Sequence, residues 1–275
     1  MKLLYCGTAA YEGIPAPFCS CAACKNARKN GGKDIRFRTQ MIINDDLAVD
    51  FPPDAYLHFI RYSIDYSKIN NLLITHCHSD HLYVEDLGIR RKGAAVLSDN
   101  SVLGVYAGEK GVAHIKHWLG DNIEEIAQIR LHELKAWEMF VADGYKITPI
   151  PARHDPYSSP FIFIIEKDEK AIFYANDTGP LPEETYEKIA RLGIQLDLFS
   201  ADCTMMENIP SISHLMLSDV VEMERKLRAK GCLKDSCKTV ITHFSHNSYV
   251  SHARLEEAVK PYGFIVAYDG LILNI

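Results

Sequence analysis

The chain has 275 residues, 47% of them hydrophobic, with 30 basic against 36 acidic side chains and a formal net charge of −6. That is ample apolar material for a packed core, and too little positive charge for a broad nucleic-acid-binding face, so no nucleic-acid partner is expected. No run reaches the ~18 apolar residues of a membrane span, and the opening Met1-Lys2-Leu3-Leu4-Tyr5 is too short for a secretory leader.

Eight cysteines without such a leader point to a reducing, cytoplasmic setting. Strand-like runs are expected near residues 2–6, 40–50, 69–76, 145–151, 160–166, 171–176, 196–201, 238–242 and 264–274. Helical patterns fall between them near 53–62, 84–92, 109–118, 183–192, 216–230 and 252–260. Glu166-Lys167-Asp168-Glu169-Lys170 reads as a charged hairpin turn, and Pro180 and Pro182 precede an acidic helix start at Glu183-Glu184. Residues 93–140 hold no ligand candidate; they are expected to form strands and helices around a pocket wall, with Trp118 and Trp137 filling core. No internal repeat or low-complexity segment breaks the pattern, and one domain over residues 1–275 is expected.

Thr75-His76-Cys77-His78-Ser79-Asp80-His81 is the most informative stretch, with four metal-ligand side chains in six positions. It follows the strand-like Ile69–Ile74. Residues i and i+2 of an extended segment point the same way, so His76 and His78 can grip one cation together. Asp80 and His81 come after a turn and can face a second. Imidazole and carboxylate suit zinc, manganese and iron alike. Cys77 alternates away from its neighbours and is expected in the core. Phe18-Cys19-Ser20-Cys21-Ala22-Ala23-Cys24 adds three thiols, which need one more ligand for a tetrahedral zinc site; reduced free cysteines or one disulfide are the alternatives.

The histidine-rich motif resembles the signature of the metallo-β-lactamase superfamily. That resemblance implies an αββα sandwich, two mixed β-sheets with helices outside, and a site where the strands end. It also implies further ligands in a set order. His154 follows Ile147–Arg153, Asp177 follows Ala171–Asn176, and His243 follows Thr239–Thr242. By resemblance His76, His78 and His154 hold one divalent ion, Asp80, His81 and His243 hold the other, and Asp177 bridges them. Asp50, after Leu47-Ala48-Val49, matches the aspartate that orients the ligand histidines from behind. The chain departs from the usual pattern with Pro52 where a glycine is common.

The cysteine run, the His243-Phe244-Ser245-His246 segment and the opening Gly7–Pro15 loop are similar to those of the phosphodiesterases of the carbon–phosphorus lyase pathway. This implies a structural zinc on Cys19, Cys21, Cys24 and His246, pinning the N-terminal loop to the strand end that carries His243. It also implies that His214, in the stretch Ile209–Asp219, faces substrate as general acid or phosphate binder, with Asp80 able to orient the nucleophile. The implied activity is hydrolysis of a small, even cyclic, phosphodiester by a hydroxide held between two ions, zinc or manganese and in some settings iron. Lactone, thioester or β-lactam opening, tRNA 3′-end processing, a role in pyrroloquinoline quinone biosynthesis and a one-iron dioxygenase stay open. So does a homodimer. His58, His114, His117, His132 and His252 match no motif and are expected to be solvent-facing or structural. Cys6, Cys203, Cys232 and Cys237 are expected to be free.

Overall fold

A computed structural model describes residues 1–98, 101–207, 210–248 and 251–275. The strands are β1 (Lys2–Gly7), β2 (Gln40–Ile43), β3 (Leu47–Val49), β4 (Asn71–Leu73), β5 (Leu103–Ala107), β6 (Ile129–Glu133), β7 (Phe140–Ala142), β8 (Tyr145–Pro151), β9 (Phe161–Lys167), β10 (Lys170–Ala175), β11 (Leu196–Asp202), β12 (Leu233–Thr242), β13 (Ile265–Val266) and β14 (Leu271–Asn274). The helices are α1 (Ala22–Asn30), α2 (Ala55–Tyr62), α3 (Val84–Leu87), α4 (Glu109–Leu119), α5 (Ile123–Ala127), α6 (Glu183–Arg191), α7 (Leu217–Ala229) and α8 (His252–Val259). Two mixed seven-stranded sheets result, in the orders β14-β1-β2-β3-β4-β5-β6 and β13-β12-β11-β10-β9-β8-β7.

The apolar pattern of the strands explains the layering. Strand side chains alternate between faces, and strands buried on both faces read as continuous apolar runs. In β9, Phe161, Phe163 and Ile165 enter the core between the sheets, while Ile162 and Ile164 enter the core under the outer helices. Leu3 and Tyr5 of β1 also point between the sheets, and Leu4 and Cys6 point to the other side. Outside the first sheet, α3 contributes Val84 and Leu87, and α4 contributes Val112, Ile115 and Leu119. Outside the second, α6, α7 and α8 contribute Tyr186, Ile189, Val220, Met223, Leu227, Leu255 and Val259. Each such side chain contributes roughly 1.5–3 kcal/mol on burial. The layers are therefore helix, sheet, sheet, helix, the expected αββα sandwich.

Several local expectations shift. The run 40–50 splits into β2 and β3 around a turn at Asn44 and Asp45, both with positive φ. Lys167 pairs with Lys170 across Asp168 and Glu169 (φ 51° and 60°), a tight turn whose hand matches strand twist. One reading of residues 93–140 holds and one is corrected. The described part of this stretch builds β5, β6 and β7 with α4 and α5, on one edge of each sheet. Ala95, Leu97 and Leu103 line a pocket of about 360 Å3 apart from the metal-ligand clusters, and none of the described part lines the site pocket. Asp99 and Asn100 lie outside the described residues. Trp118 is not core: it falls outside the Val112–Ile115–Leu119 stripe of α4 and is 53% exposed. Trp137 is half-buried against the outer core of the second sheet. His58 and His252 are buried, and Cys77 is only half-buried. Among the described residues no helix is long and apolar enough to cross a membrane.

Candidate metal centre

Parallel strands bring the site together. Ala175, Ala201 and Ile241 stand on one rung of β10, β11 and β12, so Asp177 and His243, two residues on, emerge side by side. On the facing sheet Val49 pairs with Leu73 in parallel, placing Asp50 next to the segment that leads to His76. Asp50, Asp177 and His243 all adopt left-handed backbone, with φ of 65°, 54° and 62°. Such residues are uncommon outside glycine, and the strain is of order 1–2 kcal/mol each. It collects where the chain turns out of the sheets into the site.

Two ligand groups meet here. Side-chain donors of His76, His78 and His154 lie within 4.8 Å of one another, as do those of Asp80, His81, Asp177 and His243. The ring orientations show what these groups can bind. An oxygen acceptor takes one nitrogen of every ring: Thr75 Oγ1 for His76 Nδ1 (3.1 Å), Asp155 Oδ2 for His78 Nε2 (3.2 Å) and Ser213 O for His154 Nδ1 (3.2 Å). Asp50 Oδ2 does so for His81 Nδ1 (2.7 Å) and Thr204 Oγ1 for His243 Nδ1 (2.8 Å). Thr75 and Thr204 donate their own protons to Asp50 and to His243 O, so both hydroxyls are free to accept from the rings.

With those protons outward, five bare lone pairs point inward. Nε2 of His76 and of His154 sit 2.9 and 3.2 Å from Nδ1 of His78, a repulsive arrangement for bare imidazoles and a natural one around a cation. His81 Nε2 and His243 Nε2 are buried with no hydrogen bond among the described residues. Asp177 Oδ2 lies 3.4 Å from His76 Nε2, 2.8 Å from His81 Nε2, 3.8 Å from His154 Nε2 and 3.6 Å from His243 Nε2. One carboxylate oxygen therefore stands between the two groups. Burial lowers the proton affinity of His76; on His81 burial is outweighed by Asp80, Asp50 and Asp177, which raise it. This donor set fits two divalent cations.

His214 borders the same cluster. Its Nδ1 is 3.1 Å from both Asp202 Oδ2 and Asp177 Oδ1, which leaves Nε2 to the pocket. Burial opposes its charge, but Asp202 and Asp177 pull its pKa up to about 11. A cation on Asp177 would remove part of that pull. Asp202 is fully buried at the end of β11, and its other oxygen accepts from the amides of Thr204 and Leu215. Ile209, the start of the stretch assigned to His214, lies outside the described residues.

A second cluster sits beside the first. Sulfurs of Cys19 and Cys21 are each 3.5 Å from His246 Nδ1, and Cys24 completes a group within 4.8 Å. His246 Nε2 faces Glu12 Oε1 at 3.5 Å, the carboxylate support that metal-binding histidines commonly have. Burial raises the Cys21 thiol, but the Cys24 amide, His246 and Cys19 outweigh it and bring its pKa to about 6. Burial foremost pushes Cys24 up to about 11. A low-pKa thiol among sulfurs and imidazole fits a tetrahedral zinc. Ala10 N donates to Phe244 O and Phe244 N to Thr8 O, so the N-terminal loop is already laced to the His243 segment.

The structure thus brings every residue singled out in the sequence into two adjoining clusters. Residues that sequence reasoning missed are those behind the histidines: Thr75, Asp155, Asp202, Thr204 and Glu12. A signal existed for Asp202, which ends an apolar strand as Asp177 does. The pocket over the histidine clusters has a volume of about 520 Å3 and is lined by Tyr11, Glu12, Ser79, Met205 and Ser245 as well as the clusters' own residues.

Comparisons with known proteins bear on the fold and the family. A 114-residue segment, 41% of the chain, is 32% identical to a "UPF0173 metal-dependent hydrolase" of Caldivirga maquilingensis, and it spans only 44% of that relative's length. Among solved structures, a diphosphatase from the PhnP family superposes with a TM-score of 0.74 at 24% identity, over 99% of this chain and 96% of that one. Zn2+-bound PqqB from Methylobacterium extorquens superposes with a TM-score of 0.77 at 17% identity, over the whole of both chains. At these identities the structural likenesses speak for the fold alone. The family profile described as the β-lactamase superfamily domain matches residues 57–244, from α2 to the strand end carrying His243. The chain belongs to the metallo-β-lactamase superfamily.

Proposed function

We propose that this chain is a metal-dependent phosphodiesterase acting on a small, even cyclic, diester. The observation that carries the proposal is the convergence of four bare imidazole nitrogens on Asp177 Oδ2, with a fifth, His78 Nδ1, against two of them, next to His214. His76, His78 and His154 would hold one divalent ion and Asp80, His81 and His243 the other, with Asp177 between them. Zinc, manganese or iron there would supply Lewis acidity and a water acidified towards neutral pH. Asp80, whose Oδ2 lies 3.2 Å from His81 Nε2, would also orient the nucleophile. His214 would present Nε2 to the phosphoryl group, giving a proton to the departing oxygen or holding phosphoryl charge. Asp202 keeps that ring turned and charged. Cys19, Cys21, Cys24 and His246 would hold a structural zinc that stiffens the wall carrying His243.

The family membership and the metal-dependent hydrolase relative support hydrolysis, and the PhnP-family likeness supports a phosphorus centre. The proposal is tested by elemental analysis of the protein together with turnover of bis-p-nitrophenyl phosphate. About three ions per chain, with hydrolysis lost on chelation and restored by zinc or manganese, is the expected result. A fully loaded protein that leaves the diester intact would refute it; one iron with oxygen consumption would point to oxygenase chemistry instead.

A further inference from the structure

The pocket's outer wall has its own chemistry. Beyond the candidate ligands and His214 it is formed by Tyr11, Glu12, Ser79, Met205, Ser245 and Asn247, with Ala10 and Thr204. Among the described residues no Lys or Arg lines it, and none of the six residues outside the description is Lys or Arg. Among the described residues Glu12 is the one charged side chain of that outer wall. Its Oε1 accepts from Ser245 Oγ and Asn247 Nδ2, both at 3.3 Å, and lies against His246. Its Oε2 has no hydrogen-bond partner among the described residues. The carboxylate is therefore held in place with one oxygen free to meet a ligand. Beside it Tyr11 is 62% exposed and offers an aromatic face.

We infer, resting on the phosphodiesterase reading, that the substrate's only negative charge is at the phosphorus being cleaved. Its other substituent is uncharged and hydroxyl-bearing, a sugar or polyol seated against Glu12 and Tyr11. The cations would sit at the base of the pocket, so a second phosphate at the outer wall would meet a carboxylate with no basic side chain to offset it. Two unit charges about 6 Å apart repel by an amount worth roughly three- to a hundredfold in affinity, between effective dielectrics of about 80 and 20. A hydroxyl instead donates to the free oxygen, a charge-assisted hydrogen bond. Polynucleotides fall outside this class, because their additional phosphates, several bonds from the scissile one, would lie along the same wall.

The test uses the metal-loaded full chain. Bis-p-nitrophenyl phosphate establishes diester cleavage first. A matched pair follows: the p-nitrophenyl ester of thymidine 5′-phosphate with a free 3′-hydroxyl, and the same compound carrying a 3′-phosphate. At low ionic strength kcat/KM is expected to be about tenfold higher for the 3′-hydroxyl compound, chiefly through KM. Glu12→Gln should shrink that gap, and Asn247→Lys, on the same wall, should raise kcat/KM for the phosphorylated member. Equal rates, or preference for the 3′-phosphate, overturn the inference. So does failure to cleave either nucleotide while bis-p-nitrophenyl phosphate is turned over, an outcome that leaves the phosphodiesterase reading standing. Failure on all three removes that reading and this inference with it.

Discussion

Asp50→Asn isolates the role of the carboxylate behind the ligand histidines. Asp50 is fully buried and accepts from His81 Nδ1 at 2.7 Å, Thr75 N at 2.8 Å and Thr75 Oγ1 at 2.9 Å. Asparagine has nearly the same shape and tolerates the left-handed backbone at φ 65°, so the change is chemical rather than steric. An amide has only one acceptor oxygen. If that oxygen keeps the Thr75 amide, the NH2 group faces His81 and drives its proton to Nε2, the nitrogen that should face the ion. Supports of this kind are typically worth 10- to 100-fold in metal affinity, about 1.4–2.7 kcal/mol. Losing a buried charge-assisted hydrogen bond should also lower the stability of the metal-free protein by about 1.5–3 kcal/mol. Calorimetric titration of chelator-stripped protein with zinc, alongside thermal melts in chelator, measures both. Zinc affinity equal to the wild type would refute the argument, whatever the melts show, because tautomer control is then not exercised by Asp50.

Cys21→Ser should lose about one metal equivalent and destabilise the fold while leaving the ions of the histidine clusters in place; unchanged metal content would sink the zinc assignment. Gly179→Ala would put a Cβ 2.0 Å from the carbonyl oxygen of Ile212 and 3.0 Å from Ser213 N. The segment leading to His214 must then shift, and a loss of about 1–3 kcal/mol of stability together with lowered turnover is expected; a fully active variant would show that His214 tolerates displacement. Burial holds the His58 pKa down to about 3, from 6.5, so folding favours its neutral form. The stabilisation is present above pH 6.5 and is lost as pH falls below it, where the unfolded chain takes up a proton. It amounts to roughly 2 kcal/mol between pH 7 and pH 5. His58→Gln should flatten the pH dependence of denaturant stability by that amount, and parallel curves for the two proteins would contradict the buried-neutral assignment.

The sequence by itself pointed to the candidate ligands and the sandwich, because both leave local patterns that a family resemblance can read. His76, His78, Asp80 and His81 are close along the chain and can be read from spacing, whereas His154, Asp177 and His243, each after an apolar strand, are found through the resemblance to the superfamily. The continuous apolar runs of these strands dictate burial on both faces and hence sheets covered by helices. What only the tertiary structure decided is which oxygens stand behind His78, His154 and His243. Asp155 is 77 residues from His78 in the chain, Thr204 is 39 from His243, and Ser213 is 59 from His154. These pairings depend on strand register across two sheets, which no local pattern encodes. The exposure of Trp118 and the absence of the described part of residues 93–140 from the site pocket were decided the same way, by where a helix stripe and two sheet edges pack. Glu12 meets Ser245 and His246 only because the N-terminal loop is laced to the last strand end. Its carboxylate, unremarked in the sequence, gives the pocket wall its charge.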